Sequence, residues 1–369
     1  MAPTLLSDKQ RLAWLRLIRS ENVGPITFRE LVNHFGSAEA AIDAVPDLAR
    51  KGGRQLRLCS AADAQREMAA AAAVGGRFVA LGEADYPVWL RTIDGAPPLL
   101  AVRGSGACLS RPSIAVVGAR NASVAGRKLA MQISAQLGEA GFVITSGLAR
   151  GIDAAAHTGA LATGTIAVFA GGLDRPYPPE NAVLAGKIVA EGSALLSEMP
   201  MGWEPRARDF PRRNRLISGI ALAIVVVEAA LRSGSLITAR LAAEQGRLVF
   251  AVPGSPLDPR AGGTNRLIRD GATIVTAIED IVAEVRPMLD NPLPQPSSPV
   301  QEDREDATYD ADDSDRGRIV EALGKTPVEI DEIIRFTGLK PGIVRLVLLE
   351  LDLAGRIEHH GSGHVSLIE

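Results

Sequence analysis

The chain has 369 residues, 46% hydrophobic and 22% charged, with a formal net charge of -3. That length calls for two or three domains, and the composition is that of an ordinary globular protein. Its longest strongly apolar run, Ile220 to Val227, is far short of the roughly 20 residues a spanning helix needs, so no transmembrane helix is expected. The opening MAPTLLSDKQR lacks the basic start, apolar stretch and cleavage site of a signal peptide. Cys59 and Cys108 make neither a metal set nor a disulfide framework. These features point to a reducing cytoplasm.

Charge is uneven. Residues 1–75 carry +2, residues 76–289 carry +4, residues 290–316 carry -7 and residues 317–369 carry -2. A polyanion site is therefore expected in the middle segment, as a local patch rather than a whole-domain field.

Residues 1–75 read as helical. KQRLAWLRLIRS places Leu12, Leu15 and Ile18 on one face. In NVGPITFRELVNHFGS a Gly-Pro turn precedes Thr27, taken as an N-cap, and a short helix ends near Gly36. The pattern fits a helix-hairpin-helix and also a plain helical bundle.

Residues 76–289 alternate strand and helix. SIAVVG (113–118), FVITSG (142–147), TIAVFAGG (165–172), ALLSEM (194–199), LAIVVVEA (222–229) and RLVFAVPG (247–254) read as buried strands. Helices lie between them, one capped by Ser123 and stopped at Gly141, another opened by Pro179. Continuous apolar strands alternating with helices predict a parallel sheet covered on both faces, a doubly wound Rossmann-like α/β domain.

Residues 290–316 are Pro-rich and then acidic, and read as a disordered linker. Residues 317–369 read as three helices and a hairpin turning at Gly361-Ser362-Gly363, the winged-helix pattern.

Ligands of such sheets bind beyond the carboxyl ends of the strands. VGARNAS, SGLARGID, AGGLD, RSGSLIT and VPGSP all fall there, and small residues before helix N-termini offer amides to anions. A dinucleotide is disfavoured. After the first of these strands stands GARNASVAG in place of G-x-G-x-x-G, with Arg120 where a pyrophosphate should approach. No P-loop and no G-x-S-x-G elbow is present.

Ser146, Asp153 and His157 invite a triad, but Asp153 suits the first turn of a helix and His157, four residues on, can pair with it locally. Glu198 and Glu228, at strand ends, read as partners for nearby arginines. The stretch RARDFPRRNR holds five arginines in ten residues, with Phe210 and Asn214 among them. Glu204 and Asp209 balance two of the five. Guanidinium forks suit phosphate oxygens, and phenylalanine offers a stacking face to an unpaired base. With Arg120, the edge looks suited to several phosphates of a flexible strand.

In order and spacing, IAVVGARNASVAG, SGLARGIDAAAH, TIAVFAGGLDRPYPPEN, LLSEMP, FPRRNRLISG, VVVEAALRSGSLITARLAAEQGR and VFAVPG resemble the DNA-processing protein A family (DprA, also called Smf). The resemblance runs from about Tyr86 to about Ile278, and the flanking domains fit the same family. It implies a single-stranded DNA-binding protein of natural transformation that protects incoming strands and loads RecA recombinase. It further implies a homodimer without catalysis, cofactor or metal. By motif, the family's DNA-binding arginine falls on Arg120, its serine-glycine turn on Ser146 and Gly147, and its basic pocket on Phe210, Arg213, Asn214 and Arg215. Arg212 belongs to the same cluster. Many members have a lysine just before this motif, and here Arg206 and Arg208 flank that place. Arg150 stands where many members have a small or polar residue, which enlarges the patch. The N-terminal helices correspond to the family's sterile-alpha-motif-like domain and the C-terminal module to its winged helix.

The competing class is a Rossmann-like nucleotide hydrolase of the lysine-decarboxylase-like group, which carries a P-G-G-x-G-T loop and a catalytic glutamate. The corresponding turn here, EAALRSGSLIT, lacks the paired glycines and the threonine. Repression through the winged helix is weakened by that domain's charge of -2.

Overall fold

A computed structural model describes residues 5–290, 310–360 and 363–368. The described residues form two compact units, one from 67–93 and 100–290, the other from 6–66, 94–99, 310–360 and 363–368. Most of the acidic linker and the tip of the last hairpin lie outside the described residues.

The N-terminal helices are α1 (Asp8–Ile18), α2 (Pro25–Phe35), α3 (Ala38–Lys51) and α4 (Ala61–Ala73). Ser7 caps α1 in a reciprocal box with Gln10. Gly24, not Thr27, is the N-cap of α2, because Pro25 at the first helical position already sets the helical φ. Thr27 sits inside the helix and turns its hydroxyl to Asp352, 2.6 Å away. Trp14 and Phe28 meet edge to face at 5.0 Å in the core of this group.

The larger unit holds β1 (Gly76–Ala80), β2 (Leu99–Gly104), α5 (Gly106–Ser110), β3 (Ser113–Val117), α6 (Val124–Glu139), β4 (Val143–Ser146), α7 (Ile152–Gly159) and β5 (Thr165–Val168). It continues with α8 (Ala182–Ala190), β6 (Ala194–Ser197), α9 (Asp209–Ile220), β7 (Ala223–Val226), α10 (Gly234–Glu244), β8 (Leu248–Ala251), α11 (Gly262–Arg269), β9 (Thr273–Ile274) and α12 (Ile278–Leu289). The nine strands run in the order β1-β2-β6-β5-β4-β3-β7-β8-β9. From β6 to β9 every pairing is parallel, as the unbroken apolar runs predict. The sheet extends further than a purely parallel one: β2 adds antiparallel to β6, and β1 lies outside it. Strand order reverses at β3, so β3 and β7 bound the switch point where a crevice opens. Strands β3 to β7 are buried throughout, with Ile114, Val116, Ile144 and Val225 in one core cluster.

The final module is α13 (Asp313–Ala322), β10 (Val328–Glu329), α14 (Ile330–Thr337), α15 (Pro341–Leu353), β11 (Ile357–His360) and β12 (His364–Leu367), with its three strands in one sheet. This is a winged helix. Its long third helix, α15, packs on α2 and α3. Eight of the 13 residues of α15 are buried, Val344, Val347 and Leu351 among them. Asn22 donates to the Leu353 carbonyl at 2.9 Å, tying the end of α15 to the N-terminal helices. The two terminal modules are therefore one folded body.

Candidate nucleic-acid interface

The loops after β3 and β4 are built as a pair. Ala119 donates its N–H to the Glu228 carbonyl at 2.7 Å, and Ile152 donates to the Ala119 carbonyl at 3.2 Å. Gly151 lies between them at φ 78, where a Cβ would stand 2.3 Å from the Ala119 oxygen. Only glycine fits that approach and that dihedral. The interlock turns Arg120 out at the rim, exposed.

The inside of the second loop is already occupied by an anion of the chain. Asp153 accepts from the amides of Gly147 (3.2 Å) and Ala149 (3.4 Å). Ser146 is buried, and its hydroxyl donates to the Val116 carbonyl at 2.7 Å. This serine holds the strand end in place and does not reach the surface. His157 does not pair with Asp153. Its Nδ1 faces Thr165 Oγ1 at 2.7 Å, and burial pulls its pKa down to about 3. Ser146, His157 and Asp153 each have other partners, so no triad forms.

The arginine-rich stretch is the helix α9, and helical spacing sorts its residues. Asp209 opens the helix, accepting from Trp203 Nε1 at 2.9 Å and the Arg206 amide at 2.8 Å. Arg212 and Arg215, three apart, share a face. Both reach Glu198 at the end of β6, Arg212 through Nε at 3.0 Å. Glu198 thus neutralises two of the arginines, which Glu204 and Asp209 do not. The Arg212 side chain keeps 51% of its exposure and Arg215 only 19%.

Phe210 and Arg213 lie on the neighbouring face, with Asn214 beside them. Arg213 is 5% exposed. It donates to the carbonyls of Gly147, at 2.6 Å, and Val168, and through Nε to Asn214 Oδ1 at 3.2 Å. A Cβ on Gly147 would meet its guanidinium at 2.6 Å. Burial lowers the Arg213 pKa to about 10 against the opposing pull of Asp153. Arg213 is thus the internal brace that ties α9 to β4 and β5.

What remains at the rim is a cation–aromatic group. The Arg120 guanidinium sits 5.0 Å from the Phe210 ring centroid, and Tyr177 approaches the same ring at 5.6 Å. Arg150, exposed, lies 3.4 Å from Glu180. Together they line a narrow cavity of about 20 Å³. On the other side of Arg120 a cleft of about 530 Å³ opens at the β3–β7 switch point. Tyr177 is the member that sequence reasoning missed, whereas Glu198, read there as a partner for nearby arginines, does hold Arg212 and Arg215. Tyr177 had a signal, being one of only three tyrosines and placed in a βα loop beside Arg175. Glu228, expected to pair with arginine, instead accepts from the Ser123 amide at 2.9 Å and its hydroxyl at 2.5 Å at the start of α6.

The family described as DNA recombination-mediator protein A matches residues 77–286. Its characteristic flanking domains match as well, the DprA-like N-terminal HHH domain over 8–70 and the DprA winged helix domain over 302–363. The chain belongs to the DNA-processing protein A family. The helix, glycine-proline turn and helix at its start are that HHH domain. Protein Smf of Escherichia coli is 39% identical over 76% of this chain and 75% of its own. Protein Smf of Synechocystis is 32% identical over 95% of this chain and 97% of its own. Among solved structures, DNA processing protein A of Streptococcus pneumoniae superposes with a TM-score of 0.62 at 34% identity, covering 76% of this chain and 99% of that one. The Helicobacter pylori protein, described by its unique single-stranded DNA binding mode, superposes at 0.52 with 27% identity, over 58% and 96% of the two chains. Of the described helices, none is long and apolar enough to cross a membrane.

Proposed function

We propose that this chain binds single-stranded DNA along the carboxyl edge of its sheet. The observation that carries the proposal is the Arg120–Phe210 stack. An exposed guanidinium is held over an aromatic ring beside a second ring, Tyr177, and a second cation, Arg150. Rings stack on any unpaired base and guanidinium forks hold phosphates, so such a surface takes a flexible strand with little base preference. In the cell the protein protects incoming strands and loads RecA recombinase onto them during natural transformation and recombination. It does so in the cytoplasm, as a homodimer and without catalysis. The named relatives support this reading: one is described by its single-stranded DNA binding, others as DNA processing proteins.

The test is a competition assay. Duplex DNA should displace labelled oligo-dT far less well than unlabelled oligo-dT does, and Arg120→Ala should weaken oligo-dT binding in the folded protein. Equal displacement by duplex would sink the reading. The alternative, a nucleotide hydrolase, needs a free carboxylate in the cleft. Glu228 is held by Ser123 and Asp153 by two amides. Release of free base from nucleoside monophosphates would favour that alternative.

A further inference from the structure

The arginine-rich stretch begins with Arg206 and Arg208, which precede α9 and line neither the narrow cavity nor the large cleft. Both are exposed, and neither has a carboxylate partner among the described residues. A cation that only braces the fold is turned inward onto carbonyls, as Arg213 is. Arg206 faces solvent instead.

It is also held in place. Its guanidinium lies 4.8 Å from the centroid of Trp203, a second cation–aromatic stack of the kind that Arg120 makes with Phe210. One carboxylate fixes both members: Asp209 Oδ2 accepts from Trp203 Nε1 at 2.9 Å and from the Arg206 amide at 2.8 Å. Asp209 is 4% exposed, so the indole is anchored from the inside. The Trp203 backbone is bolted to the loop after β5. Its carbonyl accepts from the Gly172 amide at 2.9 Å, and a Cβ on Gly171 would stand 2.7 Å from that oxygen. Gly202, next to it, donates to Asp174 at 2.7 Å. Asp209 and Phe210 are consecutive, so the first turn of α9 carries both stacks.

A guanidinium laid flat on a ring keeps its outer plane and its N–H edge free. The plane stacks on an unpaired base and the edge donates to phosphate oxygens. We infer that Trp203 and Arg206 form a second stacking station for an unpaired base, outside the Phe210 pocket. Arg208, exposed two residues on, meets the adjoining phosphate. A strand bound at Arg120 after β3 then runs past the first turn of α9 to the loop after β6. The inference rests on the strand-binding reading and adds to it a further base and a direction.

The test is titration of the full chain with labelled oligo-dT, following tryptophan emission and the anisotropy of the label together. Of the three tryptophans, Trp14 is 3% exposed and Trp89 is partly buried beneath Arg247. Oligo-dT should quench the emission, and Trp203→Phe should abolish the quenching while binding persists. Arg206→Ala should weaken oligo-dT binding about tenfold and lower the slope of log affinity against log salt by about 0.7. Arg206→Lys should restore the slope but not the full affinity, because an ammonium keeps the charge and lacks the stacking plane. Position 206 is exposed, so both variants should keep the circular dichroism spectrum of the parent. Binding of oligo-dT without quenching, or with affinity and slope unchanged in Arg206→Ala, would overturn the station and leave the strand-binding reading standing. If oligo-dT does not bind at all, the strand-binding reading fails and the station with it.

Discussion

The Arg120 guanidinium carbon lies 5.0 Å from the centroid of Phe210, although 90 residues separate them in the chain. One comes from the loop after β3 and the other from the first turn of α9. Their pairing separates charge from stacking, which makes the two contributions measurable apart. Arg120→Ala should lower the slope of log affinity for oligo-dT against log salt by about 0.7, one phosphate contact on a single strand. Phe210→Ala should cost about 1–3 kcal/mol of affinity through lost stacking while leaving that slope alone. Fluorescence anisotropy across a salt series checks both.

Arg213→Ala should behave differently from Arg120→Ala. Arg213 is buried and satisfies the carbonyls of Gly147 and Val168 beside Asp153. Its removal leaves a buried acid without its cation, and the loss of folding stability should be roughly 3–5 kcal/mol. Urea denaturation should show a lower midpoint, and any loss of strand binding should track the unfolded fraction. Arg215→Ala should also act mainly on stability, since Glu198 then keeps only Arg212 of the two arginines it neutralises.

Gly151→Ala should misplace Arg120 by pushing on its backbone, since the added Cβ would stand 2.6 Å from the Arg120 carbonyl oxygen. The added Cβ meets the Ala119 carbonyl, and φ 78 disfavours any residue with a side chain. The expected cost exceeds about 1 kcal/mol in stability. Strand affinity should fall together with the salt slope, as in Arg120→Ala. Unchanged binding in this variant would mean that the interlocked loops do not orient Arg120.

The two units should respond oppositely to acid. His157 is buried and its pKa is lowered to about 3. The larger unit therefore has this contribution in full above about pH 6.5 and loses it as pH falls toward 3, by about 1.4 kcal/mol per pH unit at most. Asp153, raised by burial against the pull of Arg213, works the other way and limits the loss. In the smaller unit burial raises Glu30. Burial pulls His359 down, but Asp352, 3.3 Å away, outweighs it and holds the imidazole above its ordinary value. Both groups favour their protonated forms in the fold, so the smaller unit loses stability as pH rises through their raised values. Amide hydrogen exchange at pH 5 and pH 8 should show α7 less protected and α15 more protected at the lower pH.

Removing residues 290–369 should leave oligo-dT affinity within about threefold at low salt, because the rim lies in the other unit and the removed segment is acidic. The same truncation should destabilise the N-terminal helices. It uncovers the faces of α2 and α3 that α15 buries and removes the partners of Asn22 and Thr27. Proteolysis should cut the shortened chain within 6–66 first. Since α15 is buried by its own chain, the intact protein should show no sequence-specific duplex binding.

Local pattern alone determined the doubly wound sheet and the winged helix. Unbroken apolar runs, glycine turns and caps such as Ser123 are short-range signals that strand and helix formation obey directly. The gathering of the glycine-rich βα loops at one edge follows in the same way, since such loops meet at the carboxyl edge of a parallel sheet, and the candidate site is proposed there. The tertiary structure decided which arginines are free. Composition counts five in the stretch, but Glu198, 14 residues before Arg212, takes two of them and the carbonyls of Gly147 and Val168 bury a third. Glu198 is legible as an arginine partner at a strand end, but no local window joins Arg213 to the carbonyls of Gly147 and Val168, 66 and 45 residues away. β1 and β2 were missed for a related reason: an edge strand is defined by the neighbour it pairs with, and β2 pairs with a strand some 90 residues away. The burial of α15 is likewise a long-range outcome. Its apolar surface is visible in the sequence, but that α2 and α3 cover it follows only from the folded chain.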